Sequence, residues 1–229
     1  MTRPRGTGGR LVSELERLGA VPAEVPLVAI EPVDAAGLDA ACRGRVDWVV
    51  VTSANAARAA GERLTALRGA RFAAVGPATA EALRALGLEP AFVPERFQAE
   101  AVAAGLGDVA GLRVVLPQSD IASPALADEL RARGAHVEAV VAYRTVPLVP
   151  DEEGVALLRS ADAILLASGS AARSLAALAL PLDTTSLVCI GPTTAREAEA
   201  AGLEVRCVAD EATEVGMIRA LVAIFGGRR

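Results

Sequence analysis

The sequence repeats itself at an offset of 115 residues, half the length of the 229-residue chain. Adding 115 to Ser53 gives Ser168, and adding it to Gly76-Pro77 gives Gly191-Pro192. No gap is needed to keep the two halves aligned. A repeat this long indicates two similar modules rather than an array of short units. Each half is long enough to bury a hydrophobic core of its own.

The two halves carry the pattern of parallel βα units. Apolar runs rich in Val, Ile and Leu alternate with Ala-rich helical patterns that end at glycine. Strands are predicted at 25–30, 47–51, 72–75, 91–93, 112–116 and 137–143, with the pattern resuming at 163. Helices are predicted at 11–18, from 54, from 77 to Gly87, from 98, at 124–133 and at 213–224.

The first module is expected to lack its opening strand. Subtracting 115 from the strand at 112–116 places its partner before Met1. Either the sheet of that module lacks a strand, or translation begins upstream.

Composition excludes several classes of function. All 23 basic residues are arginine, so a lysine Schiff base, a pyridoxal-phosphate anchor and a Walker A loop are excluded. The net charge of -5 and the lack of a basic run argue against nucleic acid as a partner. No apolar run has the roughly 18 residues of a membrane helix and no secretory signal is visible, so a cytoplasmic location is expected.

The residues that most often bind metals or cofactors suggest no such site. Cys42, Cys189 and Cys207 have no metal-ligand spacing and are interpreted as buried free thiols. The single histidine, His136, is interpreted as a buried or strand-edge residue rather than a general base. We therefore expect neither a metal nor a cofactor.

Small polar residues follow the predicted strands, where ligands bind in open parallel sheets. Taken singly they are interpreted as helix N-caps, whereas together they would bind several anionic groups through backbone N–H groups. The candidate residues are Arg3 in the turn at 2–5; Thr52, Ser53 and Asn55; Gly76 and Thr79; Gln118 and Ser119 in the turn at 117–120; Ser168 and Ser170; and Gly191, Thr193 and Thr194.

These motifs together resemble the uroporphyrinogen-III synthase family. The resemblance rests on Thr-Ser-x-Asn at 52–55, on Gly-Pro-x-Thr-Ala in both halves, on Thr-Arg-Pro at 2–4 and on Val-Ala-Tyr-Arg-Thr at 141–145. It implies a monomer with two flavodoxin-like α/β domains, a two-stranded hinge and an active site in the cleft between them. One domain would combine 1–32 with 148–229, and the other would span 35–144. Pro32 and Pro147, related by the offset, fall at the crossings.

The resemblance also implies a reaction. The family cyclises hydroxymethylbilane, a linear tetrapyrrole with eight carboxylates, to uroporphyrinogen III with inversion of ring D and loss of water, whereas the unaided bilane closes to the type I isomer. Tyr143 matches the tyrosine proposed to help the hydroxyl leave, and Arg3 and Arg144 would bind carboxylates. A transient contact with hydroxymethylbilane synthase is a further expectation.

Other interpretations of the same residues stay open. Tyr143 could cap a strand with its hydroxyl at the surface, and Arg58 and Arg173 are interpreted as lying on solvated helix faces. The alternative function is a non-catalytic two-domain protein that binds a small polyanionic ligand. A nucleotide-dependent enzyme is a weaker idea, because no Gly-x-Gly-x-x-Gly follows a strand.

Overall fold

The chain divides into two compact units, each with its own core. A computed structural model describes residues 1–2, 9–94 and 99–226. Unit 1 combines Met1–Ala29 with Val146–Arg229, and unit 2 is Ile30–Thr145. The chain therefore leaves unit 1, builds unit 2 and returns.

Both units are built from alternating strands and helices. The strands are β1 (Val28–Pro32), β2 (Trp48–Val51), β3 (Arg71–Ala74), β4 (Arg113–Ser119), β5 (His136–Pro147), β6 (Ala163–Leu166), β7 (Ser186–Cys189) and β8 (Val205–Val208). The helices are α1 (Gly9–Arg17), α2 (Ala36–Ala41), α3 (Ala54–Ala60), α4 (Glu62–Thr65), α5 (Pro77–Ala85), α6 (Ala99–Gly105), α7 (Ala125–Ala132), α8 (Glu152–Ser160), α9 (Gly169–Ala177), α10 (Pro192–Ala200) and α11 (Glu214–Phe225).

The sheet of unit 2 has the order β1-β5-β4-β2-β3, and β2 is parallel to both β3 and β4, as β4 is to β5. Its central strands are buried on both faces, so successive side chains enter two different cores. We call these the Val49 face and the Trp48 face. The Val49 face includes Val49, Val51, Leu64, Leu83 and Val115, and the Trp48 face includes Trp48, Val50, Val114, Leu116 and Leu130.

Unit 1 repeats the arrangement of unit 2 at the offset seen in the sequence. Its sheet has the parallel order β6-β7-β8. Adding 115 to the bounds of β2 and β3 gives the bounds of β6 and β7, and α5 becomes α10 in the same way. The sequence repeat is therefore a repeat of structure.

The expected gap at the start of unit 1 is partly filled. The Met1 carbonyl accepts the Val25 N–H at 2.9 Å, and the Thr2 carbonyl accepts the Leu27 N–H at 3.3 Å. By the offset, Met1 and Thr2 correspond to residues 116–117 near the end of β4. They take the place of the end of the missing strand, although no strand is formed there.

Several predicted boundaries differ from the structure. The segment 91–93 makes a single bridge, from Phe92 to Ala73, because Pro90 and Pro94 on either side have no N–H to extend a ladder. The strand predicted at 25–30 begins at Val28 and runs to Pro32, and β5 continues four residues beyond 143. The helix predicted from 98 begins at Ala99, and Gln98 lies outside the described residues.

The strand order also differs from the flavodoxin order implied by the family resemblance. From the edge opposite β1, the order across the sheet is the Phe92 segment, β3, β2, β4 and β5. Numbered along the chain from β2, this order is 3-2-1-4-5. A flavodoxin sheet has the order 2-1-3-4-5. The chain here adds the Phe92 segment beyond β3 before it crosses to β4 on the other side of β2. Across the ranges given above, no helix is long and apolar enough to cross a membrane.

Candidate functional site

The turn after β2 brings a serine and the tyrosine together. Ser53 has extended backbone angles (φ -152°, ψ 153°) and caps α3, because its Oγ accepts the Ala56 N–H at 3.1 Å. The same Oγ lies 3.1 Å from Tyr143 Oη. Either hydroxyl can donate in this hydrogen bond.

Tyr143 is a core residue rather than a surface cap. It is 6 % exposed and packs on the Val49 face with Ala142. The interpretation of Tyr143 as a surface cap of the strand is therefore wrong, because the side chain packs in the core and its hydroxyl lies in a partly buried contact with Ser53. The hydroxyl is at the carboxyl end of the sheet, since Ser53 follows the last residue of β2 by two positions.

The other candidates of the β2 and β3 turns make local contacts. Thr52 and Asn55 are half-buried, and the Asn55 amide oxygen accepts a hydrogen bond from Arg58 at 3.2 Å. Thr79 is 3 % exposed, and its hydroxyl donates to the Val75 carbonyl at 3.2 Å. Gly76 precedes α5 with φ 102°, a conformation that favours glycine.

Gln118 and Ser119 belong to a strand and not to a turn. Both are part of β4, where they pair with Val141 and Tyr143. The prediction of a turn at 117–120 is wrong because β5 is long enough to keep pairing with β4 as far as Ser119. The chain turns at Asp120 instead.

Unit 1 carries the same cap without the tyrosine. Ser168 (φ -158°, ψ 153°) caps α9 by accepting the Ala171 N–H at 3.2 Å, and its Oγ lies 3.0 Å from Ser170 Oγ. The residue equivalent to Tyr143 by the offset is Val28, which is buried. The duplicated scaffold thus presents a phenol in unit 2 only.

The last turn of unit 1 differs in backbone from its counterpart. Gly191 is extended (φ -177°, ψ 174°), unlike Gly76. Thr194 is buried as Thr79 is, whereas Thr193 is exposed.

The candidate arginines that the structure describes are all exposed. Arg144 is exposed and has no ion-pair partner among the described residues, while Arg3 lies outside them. Arg58 bonds to its own helix, and Arg173 forms an ion pair with Glu197 on α10. The last two are on solvated faces, as expected.

Sequence reasoning did not select Asp120 and Thr145, which hydrogen-bond to each other beside Tyr143. The Asp120 carboxylate accepts the Thr145 N–H at 3.0 Å, and its own N–H donates to the Tyr143 carbonyl at 3.1 Å. Burial raises the pKa of Asp120, but hydrogen bonds from Thr145, Ser119 and Ile121 outweigh that effect and hold the pKa below its ordinary value. In the sequence, Asp120 was only the last residue of the turn predicted at 117–120, and the extension of β4 to Ser119 places it directly after a strand.

No described group of three or more His, Cys, Asp or Glu side chains could hold a metal ion. Burial raises the pKa of the Cys189 thiol to about 11, while Cys42 and Cys207 are only half-buried. His136 is exposed at the first position of β5.

Two cavities lie away from the candidate residues. One of about 590 Å³ is bordered by residues that precede β2, β3 and β4, such as Asp47, Ala70 and Leu112. The other, of about 820 Å³, lies in unit 1 and is lined by apolar side chains, Leu158 and Leu221 among them. The candidate turns are at the opposite, carboxyl ends of the strands.

A family model described as uroporphyrinogen-III synthase HemD matches residues 9–219. The chain belongs to the uroporphyrinogen-III synthase family. The match includes all of unit 2, most of unit 1 and every candidate residue except Arg3.

Named relatives come from bacteria and a plant. The chain is 29% identical to the porphyrin biosynthesis protein HemD of Ruminiclostridium josui, over 99% of this chain and 48% of that protein. It is 30% identical to the chloroplastic uroporphyrinogen-III synthase of rice, over 89% of this chain and 72% of that protein. The uroporphyrinogen-III synthase of Synechococcus elongatus is 31% identical, over 68% and 64%. The chain thus spans about half the length of the first of these relatives.

Solved structures of the family share the fold. A mutant uroporphyrinogen III synthase of Thermus thermophilus matches with a TM-score of 0.65 and 22% identity, over 95% of this chain and 94% of that chain. The Helicobacter pylori enzyme matches with a TM-score of 0.66 and 15% identity, over 90% and 94%.

Proposed function

We propose that this chain is a uroporphyrinogen-III synthase, which cyclises hydroxymethylbilane to uroporphyrinogen III with inversion of ring D and loss of water. The observation that carries the proposal is the family match over residues 9–219. The Ser53–Tyr143 hydroxyl pair supports it, because it supplies a proton donor at the carboxyl end of a parallel sheet.

The reaction asks for little acid–base power from the protein. The pyrrole nitrogen lone pairs expel hydroxide from the hydroxymethyl carbon, and a proton donor converts that hydroxide to water. We assign the donor to Tyr143. When the Ser53 hydroxyl donates to Tyr143 Oη, the phenol proton is free to move to the leaving group, and the same hydrogen bond stabilises the phenolate that results.

The carboxylates would be bound by neutral groups in addition to arginine. Helices α5, α9 and α10 each begin at the carboxyl end of a parallel strand, where their first N–H groups are unpaired within the helix. We propose that Thr52, Asn55, Gln118 and Ser119 in unit 2, and Ser168, Ser170 and Thr193 in unit 1, line the binding surface. Thr79 and Thr194, whose side chains are buried, would contribute their backbone N–H groups from the first turns of α5 and α10. The backbone of Gly76 and Gly191 and the exposed guanidinium of Arg144 would complete it.

Positioning is the larger part of catalysis in this proposal. The bilane must be folded so that the substituted carbon of ring D, rather than the free one, meets the cation. The inter-domain cleft, the two-stranded hinge and the domain limits 1–32 with 148–229 and 35–144 belong to the same proposal. The monomeric state, the cytoplasmic location and the contact with hydroxymethylbilane synthase stay predictions.

A coupled assay tests the activity. Hydroxymethylbilane is supplied, the product is oxidised and the isomers are resolved. An excess of type III over the spontaneous type I isomer is expected. Type I alone would overturn the proposal and leave a binding protein for a polyanion.

Replacing Tyr143 with phenylalanine tests the assigned donor. We expect kcat for the type III isomer to fall by about ten- to a hundredfold, because general acids contribute roughly a hundredfold or more and this leaving group departs with help from the pyrrole. The measurement is the initial rate of type III formation at saturating bilane.

The control is Thr185→Val, which removes a buried hydroxyl that donates to the Ala161 carbonyl in unit 1. It should retain the wild-type rate. Full activity of Tyr143→Phe, or no measurable activity at all, would contradict the assigned role.

A further inference from the structure

An irregularity in the pairing of β4 with β5 determines where Tyr143 points. The two strands pair residue by residue from Arg113 and His136 as far as Gln118 and Val141. The next pair is Ser119 with Tyr143, so Ala142 is an extra residue on β5. An extra residue of this kind is a β-bulge, which reverses the facing of everything that follows it.

Without the bulge, Tyr143 would lie on the other side of the sheet. Val140 packs on the Val49 face, and Val137, three positions earlier, packs on the Trp48 face. Regular alternation would therefore put Tyr143 on the Trp48 face with Val137. The bulge returns it to the Val49 face, where its hydroxyl meets Ser53.

Asp120 holds β5 directly after the bulge. Its backbone N–H donates to the Tyr143 carbonyl, and its carboxylate accepts the Thr145 N–H and the Ser119 hydroxyl, each at 3.0 Å. Ser119 Oγ is in turn 3.1 Å from Thr145 Oγ1. Asp120 thus hydrogen-bonds to β5 on both sides of Arg144, at Tyr143 and at Thr145.

We propose that Asp120 is a positioning residue that holds the bulged register of β5 and so keeps the Tyr143 hydroxyl on Ser53. The side chain of Asp120 hydrogen-bonds to neither hydroxyl of that pair. It acts through the Thr145 N–H and the Ser119 hydroxyl, whereas the bond to the Tyr143 carbonyl comes from the Asp120 backbone. The inference rests on the proposed function for its catalytic consequence, but its geometric content can be tested separately.

The chain offers a direct probe, because Tyr143 is its only tyrosine. Protein labelled with ¹³C at tyrosine Cζ gives a single resonance, which responds to the hydrogen bond and packing of the phenol. In Asp120→Ala, that resonance should either shift by more than its line width or split into two resolved signals. Asp120→Asn, which keeps an oxygen to accept the Thr145 N–H, should restore the wild-type position.

The matched control is Asp108→Ala. Asp108 is another exposed aspartate of unit 2 whose Oδ1 accepts a backbone N–H at 3.0 Å, that of Ala110. Its removal should leave the tyrosine resonance unmoved. An unmoved resonance in Asp120→Ala, or equal shifts in both variants, would overturn the proposal. If Asp120→Ala does not fold, Asp120→Glu must move the resonance instead, and an unmoved signal in that variant is equally decisive.

Kinetics give the second readout. Asp120→Ala should lower kcat for the type III isomer by about tenfold with little change in KM, since small misplacements of a reacting group are costly. In a Tyr143→Phe background, Asp120→Ala should cause no further loss of kcat, because the effects of two residues that act through one group are not additive. Additive losses would overturn the proposal. A wild-type protein without type III activity would instead refute the proposed function, and the resonance would still decide the role of Asp120.

Discussion

At the scale of single residues, Asp47 shows how the side chain and backbone of one residue connect the amino ends of three strands. Its Oδ2 accepts the Arg113 N–H at 3.0 Å and its Oδ1 accepts Arg45 Nε at 3.0 Å. Its carbonyl accepts the Arg71 N–H at 3.0 Å. The side chain is 18% exposed. The Arg113 N–H, aided by Arg45, holds the pKa of Asp47 below its ordinary value.

The lowered pKa of Asp47 predicts a dependence of stability on pH. A carboxylate whose pKa is depressed in the folded state stabilises the fold above its unfolded pKa of about 3.9, and loses that effect as the pH falls through the folded value. Asp47→Asn should therefore be less stable than wild type at pH 7, and the difference should shrink as the pH falls below about 4. Urea unfolding at several pH values measures it.

Asp34→Asn is the control for this experiment, because among residues 1–2, 9–94 and 99–226 the Asp34 carboxylate accepts only the Ala36 N–H within its own turn. We expect it to be near wild type throughout. A stability difference for Asp47→Asn that stays constant from neutral to acid pH would refute the role of the charge.

At the scale of elements, the repeat preserves the serine caps of two helices but not the backbone angles of the glycines that precede two others. Ser53 and Ser168 cap α3 and α9 with almost the same geometry. The glycines before α5 and α10 do not agree: Gly76 has φ 102°, whereas Gly191 is extended at -177°. Only Gly76 needs to be glycine for its conformation.

The two glycines therefore form a matched pair of substitutions. Gly76→Ala should destabilise the protein by about 1–3 kcal/mol, because a side chain at positive φ is strained. Gly191→Ala should be neutral or stabilising by up to about 1 kcal/mol, since alanine reduces the entropy of the unfolded chain. A Cβ at Gly191 would lie 3.5 Å from Ala212 Cβ, an ordinary contact. Urea unfolding compares them, and equal costs at both sites would contradict the difference in backbone.

At the scale of the whole molecule, two compact units are built from one chain that passes between them twice. Leu27 is fully buried in unit 1 beside Leu158 and Ile164, and Leu116 is fully buried on the Trp48 face of unit 2. The only tryptophan, Trp48, and the only tyrosine are both in unit 2. Intrinsic fluorescence consequently reports on unit 2 alone, while circular dichroism reports on both units.

This division predicts that a substitution in one unit changes the unfolding transitions seen by fluorescence and by circular dichroism to different extents. Leu27→Ala should cost unit 1 about 2–5 kcal/mol. The urea transition seen by circular dichroism should then begin earlier, with little change in the transition seen by fluorescence. Leu116→Ala should move the fluorescence transition. If both probes shift together in both variants, the units unfold as one cooperative body and the prediction fails.

Local patterns predicted most of the elements. The apolar runs of β2 and β6 were recognisable because strands buried on both faces are continuously hydrophobic. The serine caps and Gly-Pro helix starts were recognisable because their chemistry is local to a few residues. The bridge at Phe92 was predicted as a strand because apolar residues alone do not show how far a ladder extends beside Pro90 and Pro94.

By itself, the sequence determined the duplication, the parallel βα architecture, the family and the polar residues at the carboxyl ends of the strands, because periodicity, caps and motifs are properties of adjacent residues. Tertiary structure alone decided the strand order, the filling of the unit 1 gap by Met1 and Thr2, and the pairing of Tyr143 with Ser53. That pairing depends on a single extra residue in β5, and the proposed positioning residue Asp120 bonds to partners 23 and 25 positions along the chain. A bulge interrupts the regular alternation of side chains on which reading register from a sequence depends, so the apolar pattern alone did not reveal it.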